Sequence, residues 1–167
     1  MKTTIERVHG RRVWDSRGRP TVEVEVATAS GTIGRAIAPA GASTGSAEAV
    51  DLRDGGDAFA GYDVRKAVGS VENEIAAALA GMDARDQTSI DRRLIDLDGT
   101  ANKGRLGGNA LIATSMAIAH AAAAAEGVPL WRYLAGDDEP GLLPLPEIQI
   151  FGGGAHAGRR VDLQDFM

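Results

Sequence analysis

Thr21-Val22-Glu23-Val24-Glu25-Val26 alternates strictly between side chains that favour water and side chains that avoid it. This period of two is typical of a β-strand with one buried face and one face toward solvent. Weaker patterns predict a strand before it at residues 4–8 and another after it at residues 32–38, beyond the turn residues 29–31. The sequence therefore predicts a three-stranded antiparallel meander.

After Pro39 the apolar residues recur at helical spacing, over residues 64–79, 86–97 and 110–125, with one more turn at 130–134. Residues 106–125 carry no charge and have nearly the length of a membrane span. They are mostly small residues, which contribute little to insertion into lipid. We therefore expect a buried helix, no membrane partner and an α+β fold class.

The charged, breaker-rich residues 137–141 predict a linker at 137–143, between a first domain at 1–136 and a second element at 144–167. In this second element, residues 147–151 predict a buried strand and residues 161–167 predict another. The chain stops on the apolar pair Phe166-Met167, from which we expect the second element to be the beginning of something larger.

The 167 residues include 23 Asp and Glu against 18 Lys and Arg, a net charge of −5. This acidic balance argues against nucleic acid as a partner, because such binding needs a basic face. The absence of cysteine excludes disulfides, thiolate zinc sites and cysteine nucleophiles. The polar start, residues 1–7, lacks the apolar core of a signal peptide, so we expect a cytoplasmic protein.

A glycine-rich loop connects the last predicted strand to the first predicted helix and consists of Gly41, Ala42, Ser43, Thr44 and Gly45. A loop with two hydroxyl groups can close over an anion or offer oxygen ligands to Mg²⁺. It lacks the lysine of a nucleotide-binding phosphate loop. A flexible connector is the alternative that these residues leave open.

The turn at residues 15–20 contains Gly18 and Pro20, and Asp15 can pair there with Arg17. We interpret this turn as mainly structural.

His156 follows three glycines, a setting in which the backbone approaches a ligand closely and an imidazole can donate to a phosphate or carboxylate. His9 and His120 have no comparable neighbours, and we expect His120 to be a packing residue. No two histidines have the spacing of a zinc site.

Gln164 and Asp165 lie in the predicted strand at 161–167. A carboxylate that faces a barrel interior usually has a function, because burying it without a partner is costly. A solvated strand face is the alternative.

Together these motifs resemble the enolase family (phosphopyruvate hydratase) over residues 5–167. The resemblance rests on six segments in the family's order: residues 15–18 with 20–25, residues 41–45, residues 52–55, residues 97–103 with 106–110, residues 153–157, and Gln164 with residues 166–167.

The resemblance implies a meander and helical bundle packed on a β/α barrel. This chain would contain the meander, the bundle and only the first strands of the barrel. It also implies the reversible dehydration of 2-phosphoglycerate to phosphoenolpyruvate with two Mg²⁺, and a homodimer or higher homo-oligomer. Cations on the substrate carboxylate would stabilise the dianion that forms when its α-proton leaves.

By position, Ser43 resembles the loop residue that ligates the second Mg²⁺. His156, Gln164 and Asp165 resemble residues that contact a small phosphorylated carboxylate substrate. The ligands of the first metal, the lysine base, the acid and the phosphate-binding arginine would all lie beyond Met167. We therefore expect the 167-residue chain alone to be inactive.

Several residues depart from the family's pattern, mostly near the expected substrate: Ala40, Glu147, Gln149, Gly152, residues 158–160 and Asp165, which stands where Glu is usual. These departures keep open an enolase-like paralogue that acts on a related phosphonate or phosphorylated carboxylate. A non-catalytic α+β binding module is the third possibility.

Overall fold

The computed structural model describes residues 2–41, 44–138 and 141–167. The chain divides into two compact units. The first consists of Met1–Ala40 and Ala47–Leu134, and the second of Gly41–Ser46 and Ala135–Met167.

The first unit contains the predicted meander, with strands β1 (Ile5–Trp14), β2 (Pro20–Thr28) and β3 (Ile33–Ile37) in the antiparallel order β1-β2-β3. Strand β1 extends six residues past its predicted end at Val8. Gly10 and the adjacent Arg11 and Arg12 interrupt the alternation of apolar and polar residues in this part of the strand. A Cβ atom at Gly10 would lie 2.9 Å from the Cβ of Val71, so the glycine lets a helical turn pack on the strand.

The inner face of the sheet is the core of this unit. Val22, Val24 and Val26 are fully buried, and helix α4 (Gly108–Glu126) lies across β2 and β3. The contact is so close that a Cβ atom at Gly34 would lie 2.1 Å from the carbonyl oxygen of Ala117. The small residues of α4 are therefore what allows the helix to lie this near the sheet.

The outer face of the sheet is less open to water than the alternation predicts. Glu25 is only 8% exposed, because Arg7 and Arg35 donate to its two carboxylate oxygens at 2.7 and 2.6 Å. The neighbouring Glu23 pairs with Arg11 in the same way. The hydrogen bonds from Arg35 and Arg7 hold the pKa of Glu25 below its ordinary value. Arginine side chains thus cover a face that the sequence predicts to be solvated.

The predicted helix at 64–79 is a continuous run of α1 (Arg65–Ser70), a π-helical turn (Val71–Ile75) and α2 (Ala76–Leu79). Glu72 of the π turn accepts the backbone N–H of Gly10 and pairs with Nδ1 of His9 at 2.8 Å. His9 therefore has a charged neighbour that is distant in the sequence.

The first unit also contains a 3₁₀ turn (Ala58–Gly61) and two further α-helices. Helix α3 (Gln87–Asp98) starts after Asp86, whose side chain caps it, and ends at Gly99 in the left-handed conformation. Helix α5 is Leu130–Ala135. Both agree with the predicted helices to within a residue or two.

Helix α4 is long and apolar enough to cross a membrane by length and composition alone, but 61% of its most apolar window is buried inside the protein. This is the burial of a core helix, as its small residues predict.

The second unit contains far less regular structure than predicted. Its strands are β4 (Phe151–Gly152) and β5 (Asp165–Phe166), which pair antiparallel, with a 3₁₀ turn at Gly154–Ala157. Residues 147–150 are exposed and irregular, and Phe151, which does lie in a strand, is 51% exposed. The prediction of a buried strand at 147–151 is therefore wrong. The predicted strand at 161–167 forms only at its end. Strands need neighbours for their backbone groups, and only two residue pairs find them here.

Candidate functional site

Of the predicted 41–45 loop, the structure describes Gly41, Thr44 and Gly45, which are exposed and have no regular structure. Ala42 and Ser43 lie outside the described residues, so the predicted metal ligand has no structural account. The residues that hold the two ends of the loop are described in full.

The backbone leading into the loop is held by the turn between β1 and β2. The Asp15 carboxylate accepts the backbone N–H groups of Arg17 and Arg19, both at 2.8 Å, and an Arg17 guanidinium nitrogen at 3.3 Å. The same nitrogen donates to the carbonyl oxygen of Ala40, the residue before the loop. The N–H of Arg19, followed by the groups of Arg17, lowers the pKa of Asp15 against the opposing effect of burial. The predicted Asp15–Arg17 ion pair is confirmed.

The backbone leaving the loop is held by the start of α4. Val50 donates to the carbonyl of Asn102 at 2.8 Å and accepts from the N–H of Gly108 at 2.7 Å. The Asn109 side chain accepts the N–H of Leu52 at 3.3 Å and donates to its carbonyl at 3.1 Å. This amide therefore acts on Leu52 as a neighbouring strand would.

Glycines before Asn109 make that contact possible. A Cβ atom at Gly107 would lie 2.7 Å from the Cβ of Leu52, and one at Gly108 would lie 2.8 Å from the Cβ of Ala49. Only residues without a side chain let the two backbones approach this closely.

The Leu52-Arg53-Asp54-Gly55 segment is a support for this region rather than a reactive site. Arg53 donates to the carbonyl oxygens of Pro20 and Tyr62 and to the Asp51 carboxylate. Asp54 accepts the N–H groups of Arg65 and Lys66, both at 2.9 Å, and so caps helix α1.

The three predicted substrate-contacting residues all lie in the second unit. His156 is in the 3₁₀ turn, Gln164 directly precedes β5, and Asp165 is in β5. All three side chains are exposed. Asp165 accepts a hydrogen bond from the side-chain amide of Gln149, which lies before β4.

The triple glycine has a structural use within this unit. A Cβ atom at Gly153 would lie 1.8 Å from the carbonyl oxygen of Leu163, and the N–H of Gly153 donates to Gln164 at 2.7 Å. The sequence predicts that the glycines let the backbone approach a ligand closely. At Gly153 it is the backbone of Leu163, not a ligand, that lies this close. This contact sets the spacing between the His156 turn and the segment that carries Gln164.

The structure thus groups the described loop residues with His156, Gln164 and Asp165 in one unit. An imidazole, an amide and a carboxylate together offer donors and acceptors suited to an oxygen-rich anion. No group of three His, Cys, Asp or Glu residues that could hold a metal occurs within residues 2–41, 44–138 and 141–167.

Two shallow grooves of about 290 and 280 Å³ lie along α4, at some of its apolar side chains. Both are bordered by Asp91 and Ser115, which are joined by a hydrogen bond of 2.7 Å. His120 lines one groove and is half-buried, so it is less buried than the packing residue that the sequence predicts. Among the residues that the structure describes, none of those predicted for the site lines either groove.

Sequence reasoning missed the two supports of the loop, Arg17 with Ala40 and Asn109 with Leu52. Their contacts join residues 23 and 57 positions apart, which no local pattern reveals. The one available signal was an asparagine directly after two glycines at a predicted helix start.

In a comparison with known protein families, residues 5–134 match the family described as Enolase, N-terminal domain. The match covers the meander, the helices and both supports of the 41–45 loop. Because it spans well over half of the chain, the chain belongs to the enolase N-terminal domain family.

Proposed function

We propose that this chain is the N-terminal part of an enolase-type lyase that interconverts 2-phosphoglycerate and phosphoenolpyruvate. The family match supports a relationship to such lyases, and the specific reaction is our proposal. The observation that carries it is the grouping of the 41–45 loop in one unit with His156, Gln164 and Asp165. The resemblance assigns His156, Gln164 and Asp165 to the substrate, and Ser43 of the loop to the second Mg²⁺.

In this proposal each described residue has a limited role. The His156 imidazole and the Gln164 amide donate hydrogen bonds to the oxygens of a phosphorylated carboxylate, which fixes its orientation. Asp165 faces the reacting end of the substrate, and Gln149 holds its carboxylate. The 41–45 loop excludes water when it closes.

The base, the acid and the first-metal ligands would come from a barrel that follows this chain. Mg²⁺ would supply the positive charge that stabilises the dianion, with Ser43 as one ligand. We also propose a cytoplasmic location and a homodimer or higher homo-oligomer for the complete enzyme.

A second candidate is a paralogue that acts on a phosphonate or another phosphorylated carboxylate. It is favoured by Asp165, whose side chain is one C–C bond, about 1.5 Å, shorter than that of Glu. Arg159 and Arg160, which are exposed next to the His156 turn, would then provide additional anion contacts. Their guanidinium groups suit an extra phosphonate or carboxylate oxygen.

The first experiment compares the 167-residue chain with a protein in which it is joined to a complete barrel. We expect Mg²⁺-dependent formation of phosphoenolpyruvate only from the joined protein. Formation by the chain alone would contradict our assignment of the base to the barrel. If the joined protein is folded and converts neither substrate, the non-catalytic binding module is the correct description.

The second experiment separates the two substrates with Asp165→Glu in the joined protein, with Asp162→Glu as the matched control. If the ordinary reaction is native, the longer side chain misplaces the carboxylate, and we expect kcat/KM on 2-phosphoglycerate to fall up to about a hundredfold. A gain on 2-phosphoglycerate would instead support the altered substrate. Asp162→Glu makes the same extension on an exposed neighbour and should have no effect.

The third experiment concerns Ser43→Ala in the joined protein, with Ser46→Ala as control. Loss of a hydroxyl that binds metal only in the closed state should lower kcat strongly and leave binding of the first metal nearly unchanged. Wild-type activity with wild-type Mg²⁺ dependence would make Ser43 a connector residue.

A further inference from the structure

We propose that Arg17 is a positioning residue for the 41–45 loop, because it fixes the backbone at the point where the loop begins. This inference rests on the proposed function, in which that loop closes over the substrate. Arg17 itself is not assigned to the substrate.

The Arg17 side chain is held rigidly enough to serve as an anchor. Its partner Asp15 has a side chain that is only 3% exposed and that already accepts two backbone N–H groups of its own turn. A carboxylate held in this way cannot rotate freely, so it fixes the guanidinium group that it binds. Gly18, in the left-handed conformation, closes the turn by donating to the Asp15 carbonyl at 2.9 Å.

The atom that Arg17 holds lies where the sheet stops supporting the chain. The last backbone hydrogen bond from the β3 segment to β2 is from Ala38 to Val22, at 3.1 Å, and the Thr21 hydroxyl donates to the Ala38 carbonyl at 2.9 Å. Ala40 is two residues farther on and is the last residue of the first unit before the loop. The guanidinium of Arg17 holds its carbonyl there.

The opposite end of the loop is fixed independently, through Val50 and the Asn109 amide. The two supports therefore share no side chain. Releasing one support should loosen its own end of the loop and leave the other end in place. This independence makes the proposal testable in the 167-residue chain without any ligand.

The test measures backbone ¹⁵N order parameters in the 167-residue chain. In Arg17→Ala we expect the values at Ala40 and Gly41 to fall below those of the wild type, into the flexible range below about 0.6. Leu52 should keep its wild-type value. Asn109→Ala should produce the reverse pattern.

The matched control is Arg19→Ala, in which the same side-chain type is removed from the same turn. Arg19 lies over the ring of Tyr62, 4.4 Å from its centroid, and its contact with Asp15 is through the backbone, which the substitution keeps. In Arg19→Ala the order parameters at Ala40 and Gly41 should equal those of the wild type. If Arg17→Ala fails to fold, the same measurement is made on Arg17→Gln, which retains most of the side-chain stem.

Unchanged order parameters at Ala40 and Gly41 in the Arg17 variant would overturn the proposal, even if the joined protein is an active lyase. If wild-type joined protein is inactive, the proposed function fails while the order parameters still decide on the anchor. In an active joined protein we expect Arg17→Ala to lower kcat about tenfold and Arg19→Ala to leave it unchanged. A full kcat despite a loosened loop would show that the anchor does not serve the reaction.

Discussion

The two units of the chain differ in how their apolar residues are used. In the first unit, Val22, Val24 and Val26 are fully buried beneath α4. In the second unit, Ile148 and Ile150, which belong to the predicted strand at 147–151, are 69% and 78% exposed. Both sequences contain convincing strand patterns, so the difference teaches that periodicity forms a strand only where backbone and side chains find partners.

The largest expected effect comes from the contact between the sheet and α4. Gly34→Ala places a Cβ atom 2.1 Å from the Ala117 carbonyl oxygen and 2.2 Å from the Ala121 nitrogen. Because both are backbone atoms, the helix must move, and we expect a loss of about 3 kcal/mol or more in the free energy of unfolding. Chemical denaturation, monitored by circular dichroism, measures this loss of stability.

The control for this substitution is Gly69→Ala. Gly69 lies within α1, and a Cβ atom there would meet nothing within 4 Å. Alanine should therefore leave stability unchanged or raise it by up to about 1 kcal/mol. Equal effects at the two glycines would contradict the close packing of α4 on the sheet.

The buried Asp98 tests whether polar contacts in the first unit are as specific as the apolar ones. Its carboxylate accepts the backbone N–H groups of Thr100 at 3.0 Å and Leu106 at 2.8 Å. Asp98→Asn replaces one acceptor oxygen by a donor, so we expect a loss of about 2 kcal/mol at neutral pH. Asp96→Asn, at an exposed position of the same helix, should have little effect.

The effect at Asp98 should depend on pH. Burial alone would raise the pKa of Asp98, but the hydrogen bonds from Leu106 and Thr100 outweigh it and lower the pKa. A lowered pKa means that the stabilisation is complete above the unfolded value of about 3.9 and is lost as pH falls through the folded value. The difference between wild type and Asp98→Asn should therefore shrink in acid. A difference that grows below pH 4 would contradict this.

A smaller, local effect is expected from Gly153→Ala in the second unit. The new Cβ atom would lie 1.8 Å from the Leu163 carbonyl oxygen, which breaks the β4–β5 pairing. Nuclear Overhauser contacts between the stacked rings of Phe151 and Phe166, now 4.1 Å apart, should disappear. At Gly152 the nearest atom is the flexible end of Gln149, so Gly152→Ala should keep those contacts.

The smallest effect on stability is expected for the double variant Leu142→Gln and Leu145→Gln. Both side chains are over 90% exposed, so the free energy of unfolding should change by less than about 0.5 kcal/mol. Self-association, measured by sedimentation, should decrease because less apolar surface is exposed. A large loss of stability would show that these residues are buried in solution.

Residue patterns predicted the first unit well where burial follows local spacing, as in β2 and α3. They failed where a residue is explained only by a distant partner. Gly10 breaks the alternation of β1 because Val71 packs against it, and Glu25 is covered by arginines from both neighbouring strands. The candidate site follows the same rule, because its residues were predicted by resemblance but its supports, Arg17 and Asn109, depend on tertiary contacts.

The close contact between Gly34 and α4 also bears on how the chain emerges during synthesis. Because the residues of α4 that lie on the sheet must be small and uncharged, this segment is long and apolar enough, by length and composition, to cross a membrane while it is still unfolded. The three strands precede it in the chain, at residues 5–37, and are translated first. A complementary surface is thus available as soon as this segment leaves the ribosome, so the order of elements along the chain shortens the time during which it is unprotected.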